Sequence, residues 1–147
     1  MLPAGGRATI CNYLSNIDPT EAVRGGYPQF LDAHTRRIVS ALGGQVSAWG
    51  PARKALNLFM RDMTYNHWFR NGAGLASIEA QLEVPLDSKT MTAIASAAVG
   101  GDLRKFKVID LNSERSDLFQ VAASAIARAR GIPRVHLDLI WWSEQVS

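Results

Sequence analysis

The longest apolar periodicity in the chain runs from Pro51 to about Phe69, where Ala52, Leu56, Phe59, Met60 and Met63 recur at intervals of mostly three or four residues. This is the 3.6-residue repeat of a helix that keeps one face in a core. Gly50 and Pro51 open the run as a turn glycine and a first-turn proline, and Asn71-Gly72-Ala73-Gly74 closes it. Lys54, Asn57 and Arg61 fall together on another face of the same helix. The spacing predicts Lys54 near the positive end of the helix, where an ammonium is disfavoured and its pKa is pushed down. That is one way to make a nucleophilic amine.

The same periodicity recurs on both sides of this run. Ile10, Tyr13, Leu14 and Ile17 predict a short first helix that Asp18-Pro19 stops, and Asp18 or Thr20 caps a further turn through Val23 before Gly25-Gly26. A helix from about Pro28 to Leu42 places Phe30, Leu31, His34, Ile38, Ala41 and Leu42 on one stripe, leaves Arg36 and Arg37 off it, and ends at Gly43-Gly44. A short helix over 75–82 precedes the Val84-Pro85-Leu86 approach to Asp87, which stands as the N-cap of a helix over 88–99 that Gly100-Gly101 closes. Leu103 to Leu111 alternates apolar residues with Arg104, Lys105 and Lys107, but with no second strand to pair with it reads as an irregular connection. A last long helix starts at Asn112-Ser113-Glu114 and presents Leu118, Val121, Ala122, Ala125, Ile126 and Ala129 to the core. After Gly131-Ile132-Pro133, residues 135–142 form a final short helix that carries Leu137, Leu139, Ile140, Trp141 and Trp142.

The fold class is therefore all-α, a single compact helical bundle over residues 1–147. Alanine and leucine outweigh the β-branched residues, in keeping with this class. Cys11 is the only cysteine, which rules out an intramolecular disulfide and a cysteine-rich zinc or iron–sulfur site. His34, His67 and His136 are too scattered to suggest a metal site, so neither metal nor cofactor is expected. The opening residues lack the features of a signal peptide and no run is long enough to span a membrane, so a cytoplasmic location is expected. A net charge of +3 permits a polyanionic partner without requiring one.

The run Gly50-Pro51-Ala52-Arg53-Lys54-Ala55-Leu56-Asn57 resembles the hairpin and second helix of the helix-hairpin-helix DNA glycosylases, in which a glycine hairpin precedes a lysine nucleophile. Val84-Pro85-Leu86-Asp87-Ser88-Lys89 resembles the segment that carries their catalytic aspartate. The separation of 87 − 54 = 33 residues is closer to the archaeal 8-oxoguanine glycosylase branch than to the endonuclease III branch. The resemblance covers roughly 43–90 and departs from the family pattern in having one hairpin glycine and a chain shorter than the usual two-lobed enzyme. It implies a hairpin and catalytic helix over about 43–70, an Asp-capped helix over about 87–99, and a base-excision enzyme, an N-glycosylase with abasic-site lyase activity acting on damaged or modified DNA. Lys54 takes the nucleophile's place and Asp87 the carboxylate's. Gly50, Arg53, Arg61, Arg104, Lys105 and Lys107 become DNA contacts, and Trp49, His67 and Trp68 a base pocket, with Trp141 and Trp142 as further stackers.

Each residue also has a structural reading. Lys54 serves equally as a solvated surface group, Asp87 as a plain helix cap, the tryptophans as core, and the 104–107 cluster as a solvated basic loop. Asp138, a charge inside an apolar run, is a helix cap or a second site carboxylate, with the structural role the simpler one. A non-enzymatic helical module that binds DNA or a protein is the alternative function. The oligomeric state is not set by the sequence.

Overall fold

The computed structural model describes residues 2–100 and 103–144, and among these the regular structure is helical throughout. Seven α-helices follow one another: α1 (Gly6–Ser15), α2 (Glu21–Gly25), α3 (Tyr27–Ala41), α4 (Trp49–Tyr65), α5 (Ser88–Ala97), α6 (Ser113–Arg130) and α7 (Leu137–Glu144). Short 3₁₀ turns join several of them, and Trp68–Gly72 forms one π-type turn. The 103–111 connection forms no strand, as its lack of a partner predicts; it is irregular as far as Lys107 and then makes a 3₁₀ turn over Val108–Asp110. Gly101, expected to close α5, lies outside the described residues, and α5 already ends at Ala97. No helix among the described residues is long and apolar enough to cross a membrane.

The helix ends follow local chemistry. Gly43 and Gly44 both take left-handed φ values, 89° and 73°, and the Gly44 amide returns to the Val39 carbonyl at 2.9 Å, which satisfies a terminal acceptor of α3. Asn112 caps α6 by accepting from the Arg115 amide at 2.9 Å. Asp18 accepts from both the amide and the hydroxyl of Thr20 and so turns the chain into α2.

Two adjoining apolar cores result. One gathers Phe30, Leu31 and Ile38 of α3 with Ala52, Leu56 and Met60 of α4 and with Leu75, Ile78 and Leu82. The other gathers Met91 and Ile94 of α5, Phe119, Ala123 and Ala127 of α6, and Leu137 and Trp141 of α7, with Val84 and Leu86 from the approach to α5. The extended segment 82–86 runs buried between them, so its backbone polar groups need partners. Gln120 supplies two, accepting from the Val84 amide at 3.1 Å and donating to the Val84 carbonyl at 2.9 Å. Arg134 donates to the carbonyls of Leu82 and Gln81.

Three expectations are corrected here. Helix α4 begins at Trp49, two residues before Pro51, and stops at Tyr65, where the Asn66 side chain accepts from the amide of Trp68. Gly50 is therefore no hairpin residue but a buried position in the first turn of α4; the glycines of the α3–α4 connection are Gly43 and Gly44. On α6 the buried residues are Ser116, Phe119, Gln120, Ala123 and Ala127, whereas Leu118, Val121, Ala125 and Ala129 face outward. Of the expected core stripe, only Ala122 and Ile126 pack, half-buried, against the second core; alanine is compatible with either side, and the one aromatic of α6, Phe119, decides the orientation by burying fully.

Gly50 has a steric role. A Cβ there would lie 1.8 Å from the Val108 carbonyl oxygen, so only glycine lets the 103–111 connection cross the start of α4 at this distance. Gly50→Ala is expected to destabilise the fold by about 3 kcal/mol, read as a shift in the denaturant midpoint. A second expectation comes from His34, which stacks against Phe30 and shares a 2.7 Å hydrogen bond with the Tyr13 hydroxyl. Burial, with Arg37 adding, holds its pKa below the ordinary 6.5 against the opposing pull of Glu21. Because the unfolded chain binds this proton more readily than the folded one, His34 contributes stability that is present above pH 6.5 and is lost as pH falls through its folded pKa. Denaturation midpoints measured from pH 6.5 down toward the carboxylate range should fall for the wild type and fall less for His34→Gln.

Candidate functional site

Helix α4 turns a polar face toward the second core, and this face carries Arg53, Lys54, Asn57 and Arg61. Opposite it stand three carboxylates: Glu83 and Asp87 from the segment before α5, and Asp138 from the first turn of α7. Arg53 is only 8 % exposed and uses four N–H donors, two to Glu83 (3.0 and 2.8 Å), one to Asp32 (2.8 Å) and one to the Thr35 hydroxyl (3.2 Å). Asn57 adds a third donor to Glu83 at 3.0 Å and accepts from the Tyr27 hydroxyl at 3.2 Å. Arg61 pairs with Asp138 at the start of α7 and with its neighbour Asp62.

Between these two braces lies the predicted pair. Lys54 Nζ is 3.6 Å from Asp87 Oδ2, and both side chains keep part of their surface in solvent. Asp87 has extended backbone and caps α5, accepting from the Thr90 amide at 2.8 Å. Burial pushes the Asp87 carboxyl up, but the Thr90 amide, the Lys54 charge and the Lys89 amide outweigh it and hold the carboxyl below its ordinary 3.8. A partly exposed Lys54 side chain thus faces a carboxylate that stays ionised, and the two form an ion pair at the edge of solvent. Lys54 is the sixth residue of α4, so it sits in the second turn instead of the first.

The other expected residues divide. Arg53 and Arg61 do not face outward for phosphate; they are consumed in internal ion pairs, because a buried guanidinium keeps its carboxylate partner. Gly50 is buried, with the Val108 carbonyl crossing where a side chain would stand. Arg104, Lys105 and Lys107 are exposed, and among the described residues they have no ion-pair partner. Their connection is anchored at the start of α4 through the Val108–Gly50 approach, close in the chain's path to Trp49 and Lys54. Trp49 is half-buried against the second core, with the Arg53 guanidinium 5.4 Å from its ring centroid. His67 and Trp68, the latter 74 % exposed, follow the far end of α4, and Tyr65 alone is about 16 Å along the axis from Lys54. They are not brought to the pair.

Asp138, read from the sequence as a helix cap or a second carboxylate, and the stackers Trp141 and Trp142 lie beside this pair. Asp138 is 4 % exposed; one carboxylate oxygen meets Arg61, and the other, Oδ1, is buried without a hydrogen-bond partner. Burial raises its carboxyl above the ordinary value, Arg61 opposes this, and the charge of Asp87 adds to it. Lys89, in the first turn of α5, stands 4.1 Å from the ring centroid of Trp142, a cation–π contact. A cavity of about 10 Å³ lies among Lys89, Thr90, Asp138, Trp141 and Trp142, the room of a single water. The signal for Glu83, Gln120 and Asp138 was available in kind: each is a polar residue inside an apolar run, which a fold tolerates only when the partner is supplied. Among the described residues no group of three or more His, Cys, Asp or Glu side chains is arranged to hold a metal ion.

Arg53→Met should cost about 3–5 kcal/mol in denaturant unfolding, because Glu83 loses its buried counter-charge, whereas Arg104→Ala should change stability by less than about 0.5 kcal/mol. Compared with known proteins, the chain matches no family model, no curated protein and no solved structure.

Proposed function

We propose that the protein is a DNA base-excision enzyme, a lysine-dependent N-glycosylase with abasic-site lyase activity. The observation that carries this reading is the Lys54–Asp87 pair: an amine on a long helix held 3.6 Å from a helix-capping carboxylate, with both groups reachable from solvent. In the proposed reaction Lys54 Nζ loses a proton to solvent and then forms a bond to the anomeric carbon of the sugar. The glycosidic C–N bond breaks, and its electron pair leaves with the base. Asp87 stabilises the positive charge that develops on the sugar as this bond lengthens. Sugar-ring opening then yields the Schiff base. Loss of the neighbouring C2′ proton expels the 3′ phosphate by β-elimination.

The substrate side of the proposal uses what remains free on the surface. Arg104, Lys105 and Lys107 supply phosphate contacts beside the start of α4, and Trp142 supplies an apolar face next to the first turn of α5. The small volume among Lys89, Asp138 and Trp142 has no room for a base, so binding requires Lys89 and Trp142 to swing apart. Extruding the base costs about a few kcal/mol, which stacking on the opened site offsets. A second reading, a non-enzymatic helical module, draws support from this same closed cavity and from the internal pairing of Arg53 and Arg61.

Borohydride trapping separates the two readings. With oligonucleotides carrying abasic sites and a panel of oxidised bases, the wild type should form a covalent adduct and Lys54→Gln should not. Asp87→Asn should keep the fold, since asparagine caps a helix about as well, while excision drops by about 100-fold. No adduct and no excision on any substrate would sink the enzymatic proposal. DNA binding should fall with salt at a log–log slope of about −2.7, for three phosphate contacts at about −0.9 each, and a slope near zero would argue against a nucleic-acid partner.

A further inference from the structure

Helix α6 has two apolar faces, and the fold uses one of them. Phe119, Ala123 and Ala127 go inward, while Leu118 and Val121 remain 58 % and 70 % exposed beside exposed Ala125 and Ala129. A groove of about 390 Å³ runs along this outer face, walled by Ala97, Ala98 and Val99 on one side and by Ala122, Ala125 and Ile126 on the other. Leu118, Val121, Ala125 and Ala129 lie on one side of the helix, and contiguous solvent-facing apolar surface marks a candidate interaction site.

The spacing and the charges indicate the occupant. Glu114, Leu118, Val121, Ala125 and Arg128 follow one another at intervals of four, three, four and three residues, the heptad spacing of a helix seam. Its two ends carry opposite charges, Glu114 and Arg128, both exposed and without an ion-pair partner among the described residues. They are placed symmetrically, seven residues on either side of Val121. A second α6 laid antiparallel, with the two-fold axis at Val121, sets Glu114 of each copy against Arg128 of the other. A parallel arrangement would instead put Glu114 against Glu114 and Arg128 against Arg128.

Size complementarity agrees with this register. Leu118, three residues before the axis, comes opposite Ser124, three residues after it, and beside Ala125, at the edge of the groove that Ala98, Val99 and Ala125 line. Each copy presents one large side chain and one alanine-lined hole, which is the knobs-into-holes condition met twice by symmetry.

We propose that the outer face of α6 is a self-association surface, through which two copies of this chain form an antiparallel α6–α6 dimer. One helix seam with its groove is small beside the roughly 800 Å² per partner of a standard stable interface, so the dimer is concentration-dependent and reversible. This inference is independent of the chemistry assigned to Lys54 and Asp87.

Sedimentation equilibrium of the full chain over a concentration series tests it, with circular dichroism verifying that each variant keeps its helix content. The wild type should show a monomer–dimer equilibrium, and Val121→Glu, which places two carboxylates on the axis, should be monomeric. Glu114→Arg alone and Arg128→Glu alone should each weaken the dimer by at least about tenfold, since two opposite-charge contacts become two like-charge ones. Mixing those two variants should restore association, because both contacts are then again between opposite charges. A wild type that stays monomeric at its highest soluble concentration overturns the proposal and leaves the face to a different protein. A dimer that survives both Val121→Glu and the single charge reversals also overturns it, since its interface then lies elsewhere.

Discussion

The buried guanidinium of Arg53 is the interaction on which the arrangement of this chain depends. It ties α4 to α3 through Asp32 and Thr35 and to the segment before α5 through Glu83, so three parts of the sequence meet at one charge. Such a pair adds little net stability, since desolvating both ions offsets most of their attraction. Its effect is on register. Rotating α4 by one residue would bury Arg53 against apolar side chains and strand Glu83, each at a cost of several kcal/mol. With that rotation fixed, Lys54 projects one residue further round the same face, toward the N-cap of α5, and Arg61 two turns along, toward α7.

The site is thus a by-product of how two apolar cores are joined. Glu83 and Asp87 belong to one extended segment, and that segment is held by side chains: Gln120 pairs with the backbone of Val84, and Arg134 takes the carbonyls of Gln81 and Leu82. These contacts place the Asp87 carboxylate as firmly as the cap it makes to Thr90. The same organisation sets a limit. Arg53 and Arg61, two of the cations expected to meet a nucleic acid, serve internally, and the exposed Arg104, Lys105 and Lys107 lie on the 103–111 connection, which Gly50 allows to cross the start of α4.

Around Asp138 the accounting is less complete. Its Oδ1 atom is buried without a partner while its other oxygen meets Arg61, and the charge of Asp87 reinforces the effect of burial on its carboxyl. An orphaned acceptor in a low-dielectric setting is costly to leave, and it lies beside the small cavity under Lys89 and Trp142.

Local chemistry determined much of this protein by itself. The helices near 27–41 and 49–65, though not the ends of the second, the glycine stop at 43–44, the Asp87 cap, the polar start of α6 at Asn112 and the lack of a strand over 103–111 follow from periodicity, propensity and capping, which act within a few residues. The nearness of Lys54 to Asp87 was legible only as a motif match, because nothing in their spacing of 33 residues fixes a distance. What only the tertiary structure decided is where each ambiguous face points. Alanine-rich α6 offers an apolar stripe on either side, and Phe119 with Gln120 chose the inward one by what they meet across the core. Arg53 and Arg61 read as free cations in one dimension and became braces in three, because a charge's role depends on which carboxylates the fold brings within reach. His67 and Trp68 likewise share a helix pattern with Lys54, yet α4 carries them to its opposite end.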